Sequence, residues 1–344
     1  MLRRASMMAL LFLTACWGED EPEVLRLTGE TMGTTYNITA IGDGLDEDRI
    51  AGAVVGMLSQ VNATMSNWDP TSEVSRFSAS RSTAPIELSA ELASLMEVAN
   101  TVHEQSTGRF DVTLDPLISL WGFGPRKPTD PVPSEEEITQ AWLRVGQEHL
   151  LVSDSESQTL TKLDPNVSLN LGAIAKGYGI DAVAGALRDH EIENYMVEIG
   201  GDLVTAGLNP NGAPWRIGVE KPQLGAQSVQ VVVPLSGQAL ATSGDYRNFF
   251  EHDGQRYSHI IDPTTGRPIT HVTTSVTVIA DNAMLADAWA TAMLVLGAEA
   301  GLKLAETHKL AVFFISRDVS LDEDAYITAQ SGAFDALLQA QTDD

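Results

Sequence analysis

The chain has 344 residues, 43% of them apolar, enough to build a substantial core in one large domain or two. Its formal net charge is −26, from 21 Lys and Arg against 47 Asp and Glu. That balance excludes a nucleic-acid binder, which needs a basic face for phosphates, and a polyanionic ligand would need local relief from a metal ion or a few placed cations.

Arg3 and Arg4 precede an apolar run from Met7 to Ala15, too short to span a bilayer and suited to a signal peptide over residues 1–15. The run ends in Leu13-Thr14-Ala15-Cys16, which resembles the lipobox of bacterial lipoproteins. Cys16 is the single cysteine of the chain, so no disulfide within the chain competes for it. The alternative is an ordinary signal peptide with an incidental cysteine. Residues 16–23 then read as a lipidated N-terminus and an acidic tether containing Pro22.

Val24–Thr28 and Thr34–Ile41 read as strands, and Asp46–Asn62 as an amphipathic helix with Ile50, Val54, Val55, Leu58 and Val61 at helical spacing. A second helix covers Ala90–Glu104. Ser134-Glu135-Glu136-Glu137 is a capping-box pattern opening a third, to about Val145, and Pro125, Pro128, Pro131 and Pro133 make the segment before it a loop or lid. Beyond Val197 strands dominate. Gly200-Gly201-Asp202 reads as a turn between Tyr195–Ile199 and Leu203–Gly207, and Asp253-Gly254 as a hairpin turn between Arg247–Glu251 and Tyr257–Ile261. A helix over Ala283–Leu296 closes at Gly297, a strand follows over Leu310–Ser316, and 331–344 reads as a C-terminal tail. Intermixed helices and hairpins favour an α+β fold, a single large domain with mixed or antiparallel sheets and packed helices.

Three segments carry candidate chemistry. Asp287 is the single charged residue between Ala283 and Leu296, in a helix that is apolar nearly all round and therefore expected to be buried. A buried carboxylate requires a partner. With Thr291 four residues on, the two oxygens form a two-point ligand set for a hard cation such as Mg²⁺; the alternative is an Asp paired with an Arg or capping a backbone segment. The run Leu169 to Asp181 places glycines and Lys176 at a helix start, where free amides suit an anion, although close helix packing explains the glycines equally. His259, at a strand end with Asp262 nearby, is a candidate general base or a structural histidine.

Eight motifs stand in order: Thr31-Met32-Gly33-Thr34-Thr35-Tyr36, Ser106 to Thr113, Leu120-Trp121-Gly122-Phe123-Gly124, Gly172 to Tyr178, Ile199-Gly200-Gly201-Asp202, Ser243-Gly244-Asp245-Tyr246, Ser258 to Pro263, and Asp287 with Thr291. This series resembles the ApbE family of FAD:protein FMN transferases. The resemblance implies a two-lobed transferase domain over 24–330 that binds FAD between the lobes and uses Mg²⁺ to split its pyrophosphate. FMN would pass to a Thr or Ser hydroxyl of an acceptor protein, with AMP released. It implies a metal site of Asp287, Thr291 and the carbonyl of Ala173. It also implies flavin contacts from Met32, Trp68, Arg109, Phe110, Asp111, Asn170, Lys176 and Ile261, and a catalytic role for His259. Asn170, Trp68 and Arg109 depart from the family's commoner Asp, Tyr and small residue. The implied acceptors are flavoprotein subunits of membrane redox complexes, and the lipobox implies a lipoprotein facing the periplasm, on the inner membrane in preference to the outer. A FAD pyrophosphatase and a non-catalytic flavin-binding lipoprotein are the rival readings.

Overall fold

The computed structural model describes residues 22–124, 132–223, 228–318, 320 and 325–339. Cys16, the signal segment and three of the four loop prolines lie outside the described residues.

Among the described residues, eight strands make one antiparallel sheet whose spatial order is their order along the chain. They are β1 (Glu23–Thr31), β2 (Thr34–Gly42), β3 (Asn194–Ile199), β4 (Asp202–Ala206), β5 (Ala239–Gly244), β6 (Thr273–Ala280), β7 (Ala311–Arg317) and β8 (Tyr326–Gln330). Two-residue turns join β1 to β2 at Met32-Gly33 and β3 to β4 at Gly200-Gly201, and both residues of each turn have positive φ. Such turns match the right-handed twist of the strands they connect. Asp202 is thereby the first residue of β4 and not part of the turn. The expected hairpin at Asp253-Gly254 has the same geometry, between strands Phe249–His252 and Gln255–Ser258.

The helices sit in the intervals between strands, except for one that follows the last strand. Among them are α1 (Glu47–Met65), α2 (Ala90–Gln105), α3 (Ala175–Asp189), α4 (Ala283–His308) and α5 (Gly332–Gln339). One face of the sheet packs on α4 and α3, which α1 and α2 back up, in the main core. The other face meets the hairpin Trp215–Glu220/Val229–Leu235 and α5, around Ile217, Val233, Phe313 and Phe334. With both faces covered, β6 is buried along nearly its whole length, as its β-branched sequence Thr-Thr-Ser-Val-Thr-Val-Ile-Ala permits. A third cluster of Leu117, Trp121, Ile138, Ala141 and Ile261 ties the helical lobe to the turn after His259.

The sequence expectations shift in other places too. The capping box at Ser134 and Glu137 forms, but its helix ends at Trp142. The expected tail contains α5, anchored by the fully buried Phe334. Gly297 breaks α4 locally (φ 72°, ψ 170°) and does not close it. The Thr273 hydroxyl accepts from the freed Ala298 N–H at 2.9 Å, so the helix resumes and runs to His308.

Candidate active site

A cleft of about 1230 Å³ lies between the helical lobe and the sheet, larger than the roughly 300–1,000 Å³ of ordinary small-molecule sites. All twelve predicted contact, metal and catalytic residues, from Met32 to Thr291, line it. Separated by some 260 positions of chain (Met32 to Thr291), they share one wall system because the sheet, α3 and α4 converge there.

The helical bank is a closely fitted charge cluster. At Gly177, a Cβ would stand 2.2 Å from the Ala283 carbonyl oxygen, so α3 and α4 meet where no side chain fits. Gly179 gives similar room to the Met32 Sδ–Cε end. Close packing thus accounts for these two glycines. The N-terminus of α4 is held by Asn282, whose Oδ1 accepts from Leu285 N at 2.9 Å, and by Asp181 of α3, which accepts from Ala283 N and Met284 N, both at 2.9 Å.

Asp287 is 3% exposed, and its Oδ2 accepts from Gly177 N at 3.0 Å in the first turn of α3. The anion at that helix start is therefore the protein's own carboxylate. Its Oδ1 lies 3.5 Å from Lys176 Nζ, and Lys176 also donates to Oδ2 of Asp202, itself 1% exposed. The other Asp202 oxygen accepts from Thr242 N at 2.9 Å. Burial pushes Asp287 up to about 6, with Lys176 opposing and Asp202 adding to the rise. Burial alone would lower Lys176, but Asp202 and Asp287 outweigh it and raise its pKa. The expected partner of Asp287 is thus a lysine and a helix amide, not an arginine. Thr291 Oγ1 shares a 3.1 Å hydrogen bond with Ser243 Oγ of β5.

These donors suit a hard divalent cation. The side chains of Asp287 and Thr291 and the cleft-lining Ala173 offer only oxygen, and an ammonium already stands beside Asp287 as a cationic stand-in. Asp202 and Ser243 escaped sequence reasoning. A carboxylate opening an apolar strand poses the same question of a partner that Asp287 did, and could have been asked it.

On the hairpin bank, His259 Nδ1 donates to the Asn248 carbonyl at 3.0 Å, because a carbonyl oxygen can only accept. The neutral ring therefore keeps its lone pair on Nε2. Phe123 meets the ring edge-on at 6.2 Å, and an aromatic series continues through Phe250 and Tyr257 to Trp121. Burial lowers the His259 pKa; the Asn248 bond and Asp245 oppose it, and Arg256 reinforces it. Asp245, 5% exposed, receives Arg256 at 3.0 Å, Arg317 at 2.9 Å and the Thr274 hydroxyl, which fastens this hairpin to the sheet.

Asp262 is not a partner of His259. Its Oδ1 accepts from Thr264 N at 2.8 Å, ordering its own turn, and from Arg109 Nη1 at 3.1 Å. Arg109 also reaches Thr264 Oγ1 at 2.9 Å, so it links the Ser106–Thr113 loop to this turn. Asp111 borders the cleft, but its oxygens accept from Thr113 N at 2.7 Å and Gln147 N at 2.9 Å. Burial raises its pKa, against those bonds. His103 Nδ1 donates to the Phe110 carbonyl at 2.7 Å and steadies the same loop. Asn170 Oδ1 accepts from Gly172 N at 3.1 Å, and Asn67 holds both sides of that loop through Leu169 O at 2.6 Å and Leu171 N at 2.9 Å. Ile261 is buried in the wall. Trp68, 71% exposed at the rim, presents an apolar ring suited to stacking.

The family model described as the ApbE family matches residues 32–314. A FAD:protein FMN transferase of Vibrio cholerae is 42% identical over 332 residues, covering 96% of this chain and 97% of that protein. One of Haemophilus influenzae is 39% identical, with 96% of each chain covered. Among solved structures, the flavin transferase ApbE from Vibrio cholerae superposes with a TM-score of 0.84 at 41% identity, over 92% of this chain and 99% of that one. The flavinyl transferase ApbE of Pseudomonas stutzeri, in its apo form, gives 0.83 at 39% identity, over 92% and 97%.

Proposed function

The chain belongs to the ApbE family, and on that premise we infer that it is a FAD:protein FMN transferase. The observation that carries the finer reading is that one cleft is lined both by an oxygen-donor pair, Asp287 and Thr291, and by a histidine, His259, whose Nδ1 is tied to a backbone carbonyl.

In this reading FAD lies along the cleft with its ring system toward Trp68 and Met32 and its diphosphate toward the start of α3. Asp287, Thr291 and the Ala173 carbonyl would hold Mg²⁺, whose positive charge would stabilise a diphosphate bound beside it. His259 Nε2 takes the proton of an acceptor Thr or Ser hydroxyl. That oxygen bonds to the FMN-side phosphorus, the bond from this phosphorus to the bridging oxygen breaks, and AMP leaves with that oxygen. The lowered His259 pKa keeps the ring neutral and able to accept at neutral pH. The acceptors are flavoprotein subunits of membrane redox complexes, reached from a lipid anchor on Cys16 at the periplasmic face.

Incubation with FAD, Mg²⁺ and a co-expressed acceptor tests the reading by in-gel flavin fluorescence. A labelled acceptor with stoichiometric AMP supports transfer. AMP and free FMN without labelling identify a pyrophosphatase, and intact FAD a binding protein. Cys16→Ser should move the protein out of the membrane fraction; retention after a carbonate wash contradicts the anchor.

A further inference from the structure

Three charged groups meet at the cleft wall, and only two are needed to neutralise one another. Lys176 supplies one positive charge to Asp202 and Asp287, both nearly inaccessible to solvent. The cluster carries one surplus negative charge, and its two carboxylates are fixed independently of the lysine. Asp202 is held by Thr242 N at 2.9 Å and Asp287 by Gly177 N at 3.0 Å. Each carboxylate therefore has a backbone anchor of its own, and the lysine reaches both from a flexible stem. The lysine is also shared unequally. It hydrogen-bonds Asp202 and stands 3.5 Å from Asp287.

We propose that Lys176 is an internal counter-cation that yields Oδ1 of Asp287 to a divalent ion, and that Asp202 is the positioning residue that receives the displaced ammonium. The proposal rests on the reading of Asp287 as a cation ligand. Without a divalent ion, Lys176 spares Asp287 the cost of being a lone buried charge. With one, the cluster changes from one excess negative charge to one excess positive charge, which suits a diphosphate. Asp202 keeps the ammonium from being left beside the ion without a partner. Strand β5 coordinates the exchange, because Thr242 fixes Asp202 and the next residue, Ser243, bonds Thr291 at 3.1 Å.

A double-mutant cycle on the full-length, metal-stripped protein tests this, with Mn²⁺ as the probe and free Mn²⁺ read by electron paramagnetic resonance at fixed neutral pH. Lys176→Met removes the competitor, so Mn²⁺ should bind about tenfold tighter or more, given the coupling measured for close charge pairs. Asp202→Asn leaves the lysine no alternative partner, so binding should weaken by about the same factor. In the Lys176→Met background the same Asp202→Asn change should have little effect, because Asp202 acts through the lysine. Unchanged or weaker binding in Lys176→Met overturns the proposal, as does an equal Asp202→Asn effect in both backgrounds, which marks simple through-space attraction. If Lys176→Met fails to fold, Lys176→Gln carries the same expectation. A distinct result ends the underlying reading instead: Mn²⁺ binding absent from the wild type, or retained in Asp287→Ala.

Discussion

The two banks of the cleft solve the problem of burial in different ways. The helical bank keeps full charges inside the protein and stabilises them by counter-charge: Asp287 against Lys176 and a helix amide, Asp202 against Lys176 and a strand amide. The hairpin bank uses its own buried ion pairs, Asp245 with Arg256 and Arg317, to fasten the hairpin to the sheet, and at His259 it presents a neutral ring, steadied by one carbonyl and an aromatic edge. A substitution in the first bank's cluster alters a charge balance, while one at His259 alters the placement or proton affinity of a single group. The two banks should accordingly fail differently.

The largest difference is expected for Asp287→Ala. Divalent-dependent turnover should fall to background, while the thermal midpoint changes by only a few degrees because Lys176 retains Asp202. A midpoint collapse alongside the lost activity would show that the cluster is a structural keystone and not a ligand set. His259→Ala follows, with transfer slowed by about 10² to 10⁴, the usual range for a general base, and FAD affinity retained. Because burial holds the His259 pKa below its ordinary value, the base stays deprotonated at neutral pH, and the wild-type rate should fall only as pH drops below the usual histidine range. That acid limb should vanish in the variant; a limb that persists assigns the titration to another group. Thr291→Ala removes a neutral oxygen that water can replace, so it should raise the Mg²⁺ concentration for half-maximal rate by about tenfold and leave the saturated rate nearly intact. The smallest effect is expected for Phe123→Leu. Loss of one edge-on aromatic contact, about 0.5–1.5 kcal/mol, should slow transfer by about tenfold at most, read as kcat at saturating FAD.

Much of this was legible in the sequence, for reasons that differ by residue. The strands of the hairpins were readable because glycine-bearing turns announce them, and Asp287 because a lone charge in an apolar helix must have a partner. What failed were inferences about pairing. Asp262 is three residues from His259, yet its carboxylate folds back on Thr264 and reaches Arg109, 153 positions away. Lys176 lines the cleft, and spacing gave no sign of the two carboxylates from other elements that it also meets. Local spacing places a residue on a strand or helix; which long-range partner it meets depends on the order of strands in the sheet. Gly297 shows the same limit, since its break is real but the hydroxyl that lets the helix resume belongs to Thr273.

The order of strands in the sheet also sets when the cleft can exist. Strands β1 and β2 form a local hairpin, but β2's other edge waits for β3, with the helical lobe from Asp43 to Glu193 in between. Closing so long a connection as free chain costs roughly 4 kcal/mol, so folding is easier if the lobe condenses first and shortens the gap. Even then Thr291 arrives only with α4, after six of the eight strands. A chain still emerging from a ribosome or a translocation channel therefore holds no complete site. The helical bank gathers all three of its charges late, once α3, β4 and α4 are all present, and a kinetic study should find flavin-binding competence appearing in the slowest folding phase.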